Sequence, residues 1–381
     1  MRVLFVTHSF PRHPGDVAGA FVLRLARALR ARGGEVRVLA PSAAGLDRST
    51  VMDGVPVERF RYAPRAWETL AYAGTMAEQV GASWRAKLAL AGLILGGRRA
   101  IRATVRDFRP DVIHAHWWFP SGLAAALAHP RSPTVVTLHG SDVRLAARSA
   151  LAPKLMRFAC RRAAAVTAVS TWLASEAQRI AAVNVAAIAP MPVEDAAPGT
   201  SAPRTKSVLF VGRLNEQKGA RDVLDALRLL PGDVTADFVG DGGLRAELEA
   251  AAASAGMERR IRWHGQLPPS EVATRYRSAG AVVVPSREEG LGLVAVEAQI
   301  AGTPVVAYAS GGLPDIVENL ISGLLVEPGN VAALAEAIGR VLNDGALAAT
   351  LAAGGRERAA ARFSPAAAAA AYEAVYRRVA S

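Results

Sequence analysis

The chain has 381 residues, 51% of them hydrophobic and 20% charged, with a net charge of +12. That length exceeds what one core usually supports, so two domains are expected, and so apolar a composition excludes a disordered chain. The single cysteine, Cys160, excludes an internal disulfide and a cysteine metal cluster and fits a reducing, cytoplasmic setting.

The N-terminal run Arg2 to Thr7 has the length of a strand, too short for a leader, and the apolar run Leu88 to Gly97 is far short of the roughly 20 residues of a membrane span. The positive balance points to anionic partners, either acidic headgroups or phosphorylated substrates. Nucleic acid is not expected, because the arginines are scattered and no zinc-finger, RNA-binding or basic-zipper signature occurs.

The first half alternates strands and helices. Val3 to Thr7 reads as a strand, Ala20 to Ala31 as a helix stopped by Gly33-Gly34, and Val36 to Ala40 as the next strand. The connection His8 to Gly19 is too long for a dinucleotide fingerprint, yet a glycine there permits a ligand to approach the backbone. Residues 58 to 109 mix aromatic and basic residues, including Trp67, Trp84, Arg85, Lys87 and Arg102. They read either as a basic amphipathic segment on an anionic membrane surface or as two surface helices packed on the sheet.

Two strands, Asp111 to Ala115 and Thr134 to Leu138, then open into loops carrying His114, His116, Trp117, Trp118, His139 and Asp142. Strand ends of open α/β sheets are where ligands bind. His114 and His116 lack a second ligand cluster at metal spacing, so no metal is expected. His139, beside Gly140 and near Asp142, is the better catalytic candidate. Further strands are expected at Val166 to Ser170 and Val185 to Ile188. Pro190, Pro192, Pro198 and Pro203 then crowd a linker around Gly199, Thr200 and Ser201. The domains are placed at 1–190 and 206–365, joined by 191–205, with a C-terminal helix at 366–381.

The second half repeats the pattern, with strands at 207–212, 236–240, 261–264, 281–284, 304–307 and 323–326. Arg213 at a strand end and Lys218 before the next helix can converge on one diphosphate. Glycines at 212, 240, 311 and 312 fall at strand ends of the same domain. The strand Ala281 to Val284 runs into Glu289-Gly290-Leu291-Gly292-Leu293, with a second acid at Glu297. A helix starting near Gly292 puts Glu289 on the loop and Glu297 in the second turn. Carboxylates there are natural acceptors for sugar hydroxyls, although an isolated acid pair reads more readily as a loop acid and a solvated helix acid.

Taken together, these stretches resemble the retaining glycosyltransferases of family 4. The resemblance rests on Val211 to Gly219, on Glu289 and Glu297 with seven residues between, on Gly311-Gly312-Leu313-Pro314-Asp315, and on Thr137-Leu138-His139-Gly140. It implies an α/β fold of GT-B architecture, two facing Rossmann-like doubly wound domains with a cleft between them, and the C-terminal helix returning to the first domain.

The implied activity is transfer of a hexose from a nucleotide-diphosphate donor, a UDP-sugar rather than GDP-mannose, to an acceptor hydroxyl without a metal or other cofactor. The resemblance gives Arg213 and Lys218 the diphosphate, Glu297 the ribose, and Glu289 with the Gly290 to Leu293 amides the sugar. Gly265, Gln266 and Leu267 would meet the base. Gly19 would line the donor, joined by Gly212 and Gly240, and His139 would contact the sugar. His116, Trp117, Trp118, Asp142 and Arg144 are the acceptor candidates. The acceptor is expected to be lipid-linked or part of an envelope glycan, with peripheral contact to the inner face of an anionic membrane. A soluble sugar or natural-product acceptor, an epimerase or phosphorylase, and a non-catalytic binding protein are the alternatives. One departure from the family stands out: Pro192, in Pro190-Met191-Pro192-Val193-Glu194, occupies a place that is usually glycine, which stiffens the turn.

Overall fold

The computed structural model describes residues 1–72, 76–194 and 204–381, so most of the expected linker, including Pro198 to Pro203, lies outside the described residues. The chain folds as two units. One comprises Met1–Pro192 with Pro365–Ser381, and the other Val193–Ser364.

Among the described residues, unit 1 holds eight strands: β1 Arg2–Val6, β2 Glu35–Pro41, β3 Ser49–Met52, β4 Val55–Phe60, β5 Val112–His116, β6 Thr134–Leu138, β7 Ala165–Ala168 and β8 Ala187–Ile188. They form one sheet in the order β3-β4-β2-β1-β5-β6-β7-β8, parallel except for the β3–β4 pair. Fully buried runs such as Leu4-Phe5-Val6 and Val135-Val136 are what a parallel sheet covered by helices requires. From β1 the chain runs outward through β2 and β4, then returns to β5 and runs the other way. The strand order therefore reverses between β1 and β5, where open sheets hold ligands.

Unit 2 adds β9 Ser207–Val211, β10 Thr235–Val239, β11 Ile261–Gly265, β12 Ala281–Val284, β13 Val305–Tyr308 and β14 Leu324–Val326. The order β11-β10-β9-β12-β13-β14 is parallel throughout and reverses between β9 and β12.

Two features go beyond the reading of the sequence alone. Residues 58 to 109 hold two helices, as one of the two readings expected, but of very unequal length: Met76–Ala82 and the 25-residue Trp84–Phe108. Gly96-Gly97 do not stop that helix. They bring it onto the chain leaving β4: a Cβ at Gly96 would stand 3.0 Å from Arg61 O, and one at Gly97 3.4 Å from the Phe60 ring. Local β-structure at Ser49–Met52 was also not signalled, because its exposed, polar pattern lacks a buried face.

The helix Pro365–Ala380 belongs to unit 1. Arg32 Nε donates to Glu373 Oε1 at 2.9 Å, and Tyr372 OH donates to Ala189 O at 2.7 Å. Tyr376 OH meets His114 Nδ1 at 2.6 Å beneath β5.

Candidate functional site

In unit 2 the residues expected to bind a donor lie along one edge, the carboxyl ends of the strands. Gly212 follows β9, Gly240 follows β10, Gly265 ends β11, Glu289 follows β12, and Gly311 follows β13. Lys218 closes a short 3₁₀ turn, Glu216–Lys218, whose cap Asn215 accepts from the Lys218 N–H at 3.0 Å. Its Nζ stands 2.5 Å from Glu289 Oε2. The pair bridges the point where the strand order reverses, since one partner follows β9 and the other β12. A cation and a carboxylate at that crevice offer one grip for phosphate oxygen and another for hydroxyl.

The Glu289 loop is held from three sides. Arg287 N–H donates to Gln217 O at 2.8 Å, Arg287 Nη2 to Asp222 Oδ2 at 2.8 Å, and Gly312 N–H to Glu289 O at 2.8 Å. Tyr308 OH also donates to Asp222 Oδ2, at 2.8 Å. Gly311 has a φ of 58°, and a Cβ there would strike the Glu289 backbone, so only glycine allows β13 to end this close. Asp222, Arg287 and Tyr308 were missed as support. The one sequence signal was an acid, Asp222, among the buried positions Ala220, Val223 and Leu224 of its helix.

Gly292 caps the helix Leu293–Ile300, which places Glu289 on the loop and Glu297 in the second turn. Tyr276 OH donates to Glu297 Oε2 at 3.0 Å, and its burial, with the Glu297 charge, drives the phenol well above its ordinary range. Gly290, Leu291 and Gly292 are buried, while Gln266 is exposed beyond β11. The strand before Gln266 is fixed by His264 Nε2 against Asp237 Oδ1 at 2.5 Å. Arg213 is exposed, and its guanidinium makes no hydrogen bond or ion pair among the described residues. It remains available to an anion.

In unit 1 the residues gather at the reversal between β1 and β5. Gly19 precedes the helix Ala20–Ala31 with φ 67°, and a Cβ there would collide with the Ser9 backbone, so glycine lets the loop double back. The His8 ring meets Trp117 at 4.5 Å, Trp117 meets His139 at 4.5 Å, and His116 Nδ1 lies 3.2 Å from His139 Nε2. Desolvation holds His116 and His139 well below the usual imidazole range, helped by neighbouring histidines, and brings His8 down to about 4. These rings are neutral at neutral pH, so they serve as hydrogen-bonding and packing groups rather than cations.

Of the acceptor candidates, His116, Trp117, Trp118 and Asp142 are buried. Asp142 Oδ1 accepts from the N–H groups of His139, Gly140 and Val143, and its Oδ2 from that of Trp118 at 3.1 Å. It therefore shapes the histidine loop from inside. Trp117 Nε1 donates to Ser141 Oγ at 3.1 Å, and Arg144 is half-buried on the helix Ser141–Ala147. His114 has both ring nitrogens taken, by Tyr376 OH and by Thr137 Oγ1 at 2.6 Å. Among the described residues, no group of three or more His, Cys, Asp and Glu is placed to hold a metal.

Two Rossmann-like α/β units, each with a ligand edge at its strand reversal, define the class of two-domain, doubly wound α/β proteins. Residues 18–193 match the family described as glycosyl transferase 4-like domain, and residues 194–358 that described as glycosyl transferases group 1. Glycogen synthase of Mycobacterium tuberculosis is 32% identical over 95% of this chain and 91% of its own. A D-inositol 3-phosphate glycosyltransferase of Xylanimonas cellulosilytica is 32% identical over 90% of this chain and 87% of its own. The solved sucrose-phosphate synthase of Thermosynechococcus elongatus superposes with a TM-score of 0.79 and 26% identity, covering 100% of this chain and 99% of the other. HepE of Anabaena, solved with UDP and glucose, superposes with a TM-score of 0.74 and 22% identity, over 99% and 100%. The chain belongs to the family 4 glycosyltransferases of GT-B fold.

Proposed function

We propose that this glycosyltransferase moves a hexose from a UDP-sugar to an acceptor hydroxyl with retention of anomeric configuration. The observation that carries the reading is the Lys218–Glu289 pair at the reversal of the unit 2 sheet, with the unengaged Arg213 guanidinium at the end of the same strand. Arg213 and Lys218 are assigned the donor diphosphate, Glu289 the transferred sugar, and Glu297 the ribose. As the bond from the anomeric carbon to the phosphate oxygen breaks, its electron pair moves onto the diphosphate, and two cations stabilise the charge that develops there. The acceptor oxygen bonds to the same face of the sugar, and its proton passes to the departing phosphate oxygen. No resident cofactor enters this scheme.

Unit 1 is assigned the acceptor, with His139 on the sugar side. A membrane-proximal acceptor is favoured by the helix Trp84–Phe108. Trp84, Leu88 and Leu95 are 62%, 55% and 46% exposed and fall within about 40° of azimuth, flanked by Arg85, Lys87, Arg99 and Arg102. Among the described residues, no helix is long and apolar enough to cross a membrane, so such contact would be peripheral.

The test is turnover of a panel of UDP- and GDP-sugars by the wild type and by Arg213→Ala, Lys218→Ala and Glu289→Ala, with the product anomer read by NMR. Loss of about 10²-fold or more in kcat for each variant is expected. Full activity in all three sinks the assignment, and an inverted anomer sinks the retaining mechanism.

A further inference from the structure

The strongest unassigned feature lies in unit 1, where a cavity of about 430 Å³ opens at the carboxyl ends of β2 and β4. Its wall runs through residues 42 to 48 and carries Arg48, Arg59, Arg61 and Arg65 against two acids, Asp47 and Glu68. That volume suits a small polar molecule.

We propose that this cavity binds a phosphate group carried by the acceptor. The key residue is Arg59. Strand β4 alternates, with Val55 and Val57 buried, and Arg59 takes the next inward place where the pattern calls for an apolar residue. It is 3% exposed. Its Nη1 donates to Tyr72 OH and its Nη2 to Pro11 O, each at 2.7 Å, and both oxygens are neutral. Its Nε has no hydrogen-bond partner, and among the described residues no carboxylate lies within ion-pair distance. A buried cation without a counter-charge is costly, and a strut between Pro11 and Tyr72 could be built from an uncharged donor. An anion in the cavity supplies the missing charge.

The other arginines fit the same ligand. Arg61 is already engaged, by Glu68 Oε1 at 2.8 Å and Ala63 O at 3.0 Å. Arg48 and Arg65 are exposed on the rim, and their side chains make no hydrogen bond or ion pair among the described residues. Several guanidinium forks around one cavity match the multiple oxygens of a phosphate. The cavity shares the sheet edge that carries His8, Trp117 and His139, the edge where a ligand of unit 1 is expected. Calling the ligand an acceptor rests on the transferase reading, whereas its anionic chemistry does not.

Calorimetry on the full chain, without donor, is the test. The probes are inorganic phosphate, a polyol phosphate with its unphosphorylated parent, and vesicles with or without anionic phospholipid. Arg48→Ala/Arg65→Ala is the main variant, because neither side chain supports the fold. Arg59→Gln is the second, checked by its melting temperature, and Arg378→Ala on the C-terminal helix is the charge control. The phosphorylated polyol is expected to bind at least about tenfold more tightly than its parent, and the double variant to bring the two within about twofold. The control is expected to keep the wild-type difference.

If anionic vesicles compete with phosphate in the wild type alone, the phosphate belongs to a headgroup. If only soluble esters bind, it belongs to a free acceptor. Equal binding of ester and parent, or an unchanged preference in both cavity variants, overturns the proposal. Transfer to neutral acceptors without anion binding would end this inference and leave the transferase standing. Anion binding with no transfer from any donor would do the reverse.

Discussion

Lys218 Nζ and Glu289 Oε2 stand 2.5 Å apart although 71 residues separate them in the chain. Each side chain is largely shielded, 21% and 15% exposed, so removing either partner leaves the other desolvated without its counter-charge. Lys218→Met and Glu289→Gln are each expected to cost about 1–3 kcal/mol of stability. The double variant is expected to cost less than their sum, because no stranded charge remains. Denaturant midpoints for the four proteins measure the coupling, and strict additivity would show that the pair does not act as a unit.

Gly311→Ala should act through Glu289 without touching its side chain. At φ 58° an added methyl is strained, and it would also press on the Glu289 backbone. A loss of about 1–3 kcal/mol is expected, together with a fall in kcat/KM as the loop is displaced. Thermal melting and donor kinetics check both.

Tyr276→Phe removes one hydrogen bond, that to Glu297 Oε2 at 3.0 Å, and leaves the ring in place. If Glu297 holds the ribose, KM for the donor should rise about two- to tenfold with kcat little changed, the size of one hydrogen bond. A fall in kcat at constant KM would instead place Glu297 among groups that act on the transition state.

The histidines of unit 1 make stability depend on pH in a definite direction. His114 and His116, both 0% exposed, are held well below 6.5 chiefly by burial, with a smaller push from neighbouring histidines. His8 is lowered to about 4 by the same burial. Tyr372, Tyr376 and Thr137 line this cluster without supplying a negative charge. The unfolded chain therefore binds protons that the folded chain refuses below pH 6.5. Stability should be complete above that pH and decline between about 6.5 and 4. Urea midpoints across pH 8 to 4.5 test this, and His114→Asn is expected to flatten the slope.

The local pattern of the chain was enough to establish two α/β units, the parallel strands, the glycine-rich turns and the two-glutamate spacing. Periodicity and turn residues act over a few positions, and so do these features. It also placed Glu289 on a loop and Glu297 in the second turn, because Gly292 marks a helix start. Other relationships exist only once strand order brings distant segments together. The spacing of His114 and His116 argued only against a metal; that the His114 ring nitrogens are taken by Thr137 and by Tyr376, 262 residues away, is decided by the fold. Asp142 looked like an acceptor contact, and four backbone N–H groups fill its two oxygens. Arg59 looked like one of many scattered arginines until the fold buried it with no carboxylate at ion-pair distance among the described residues. Charge and hydrogen-bonding capacity are written in the sequence; whether a group is satisfied internally or left for a ligand depends on neighbours that only the tertiary structure supplies.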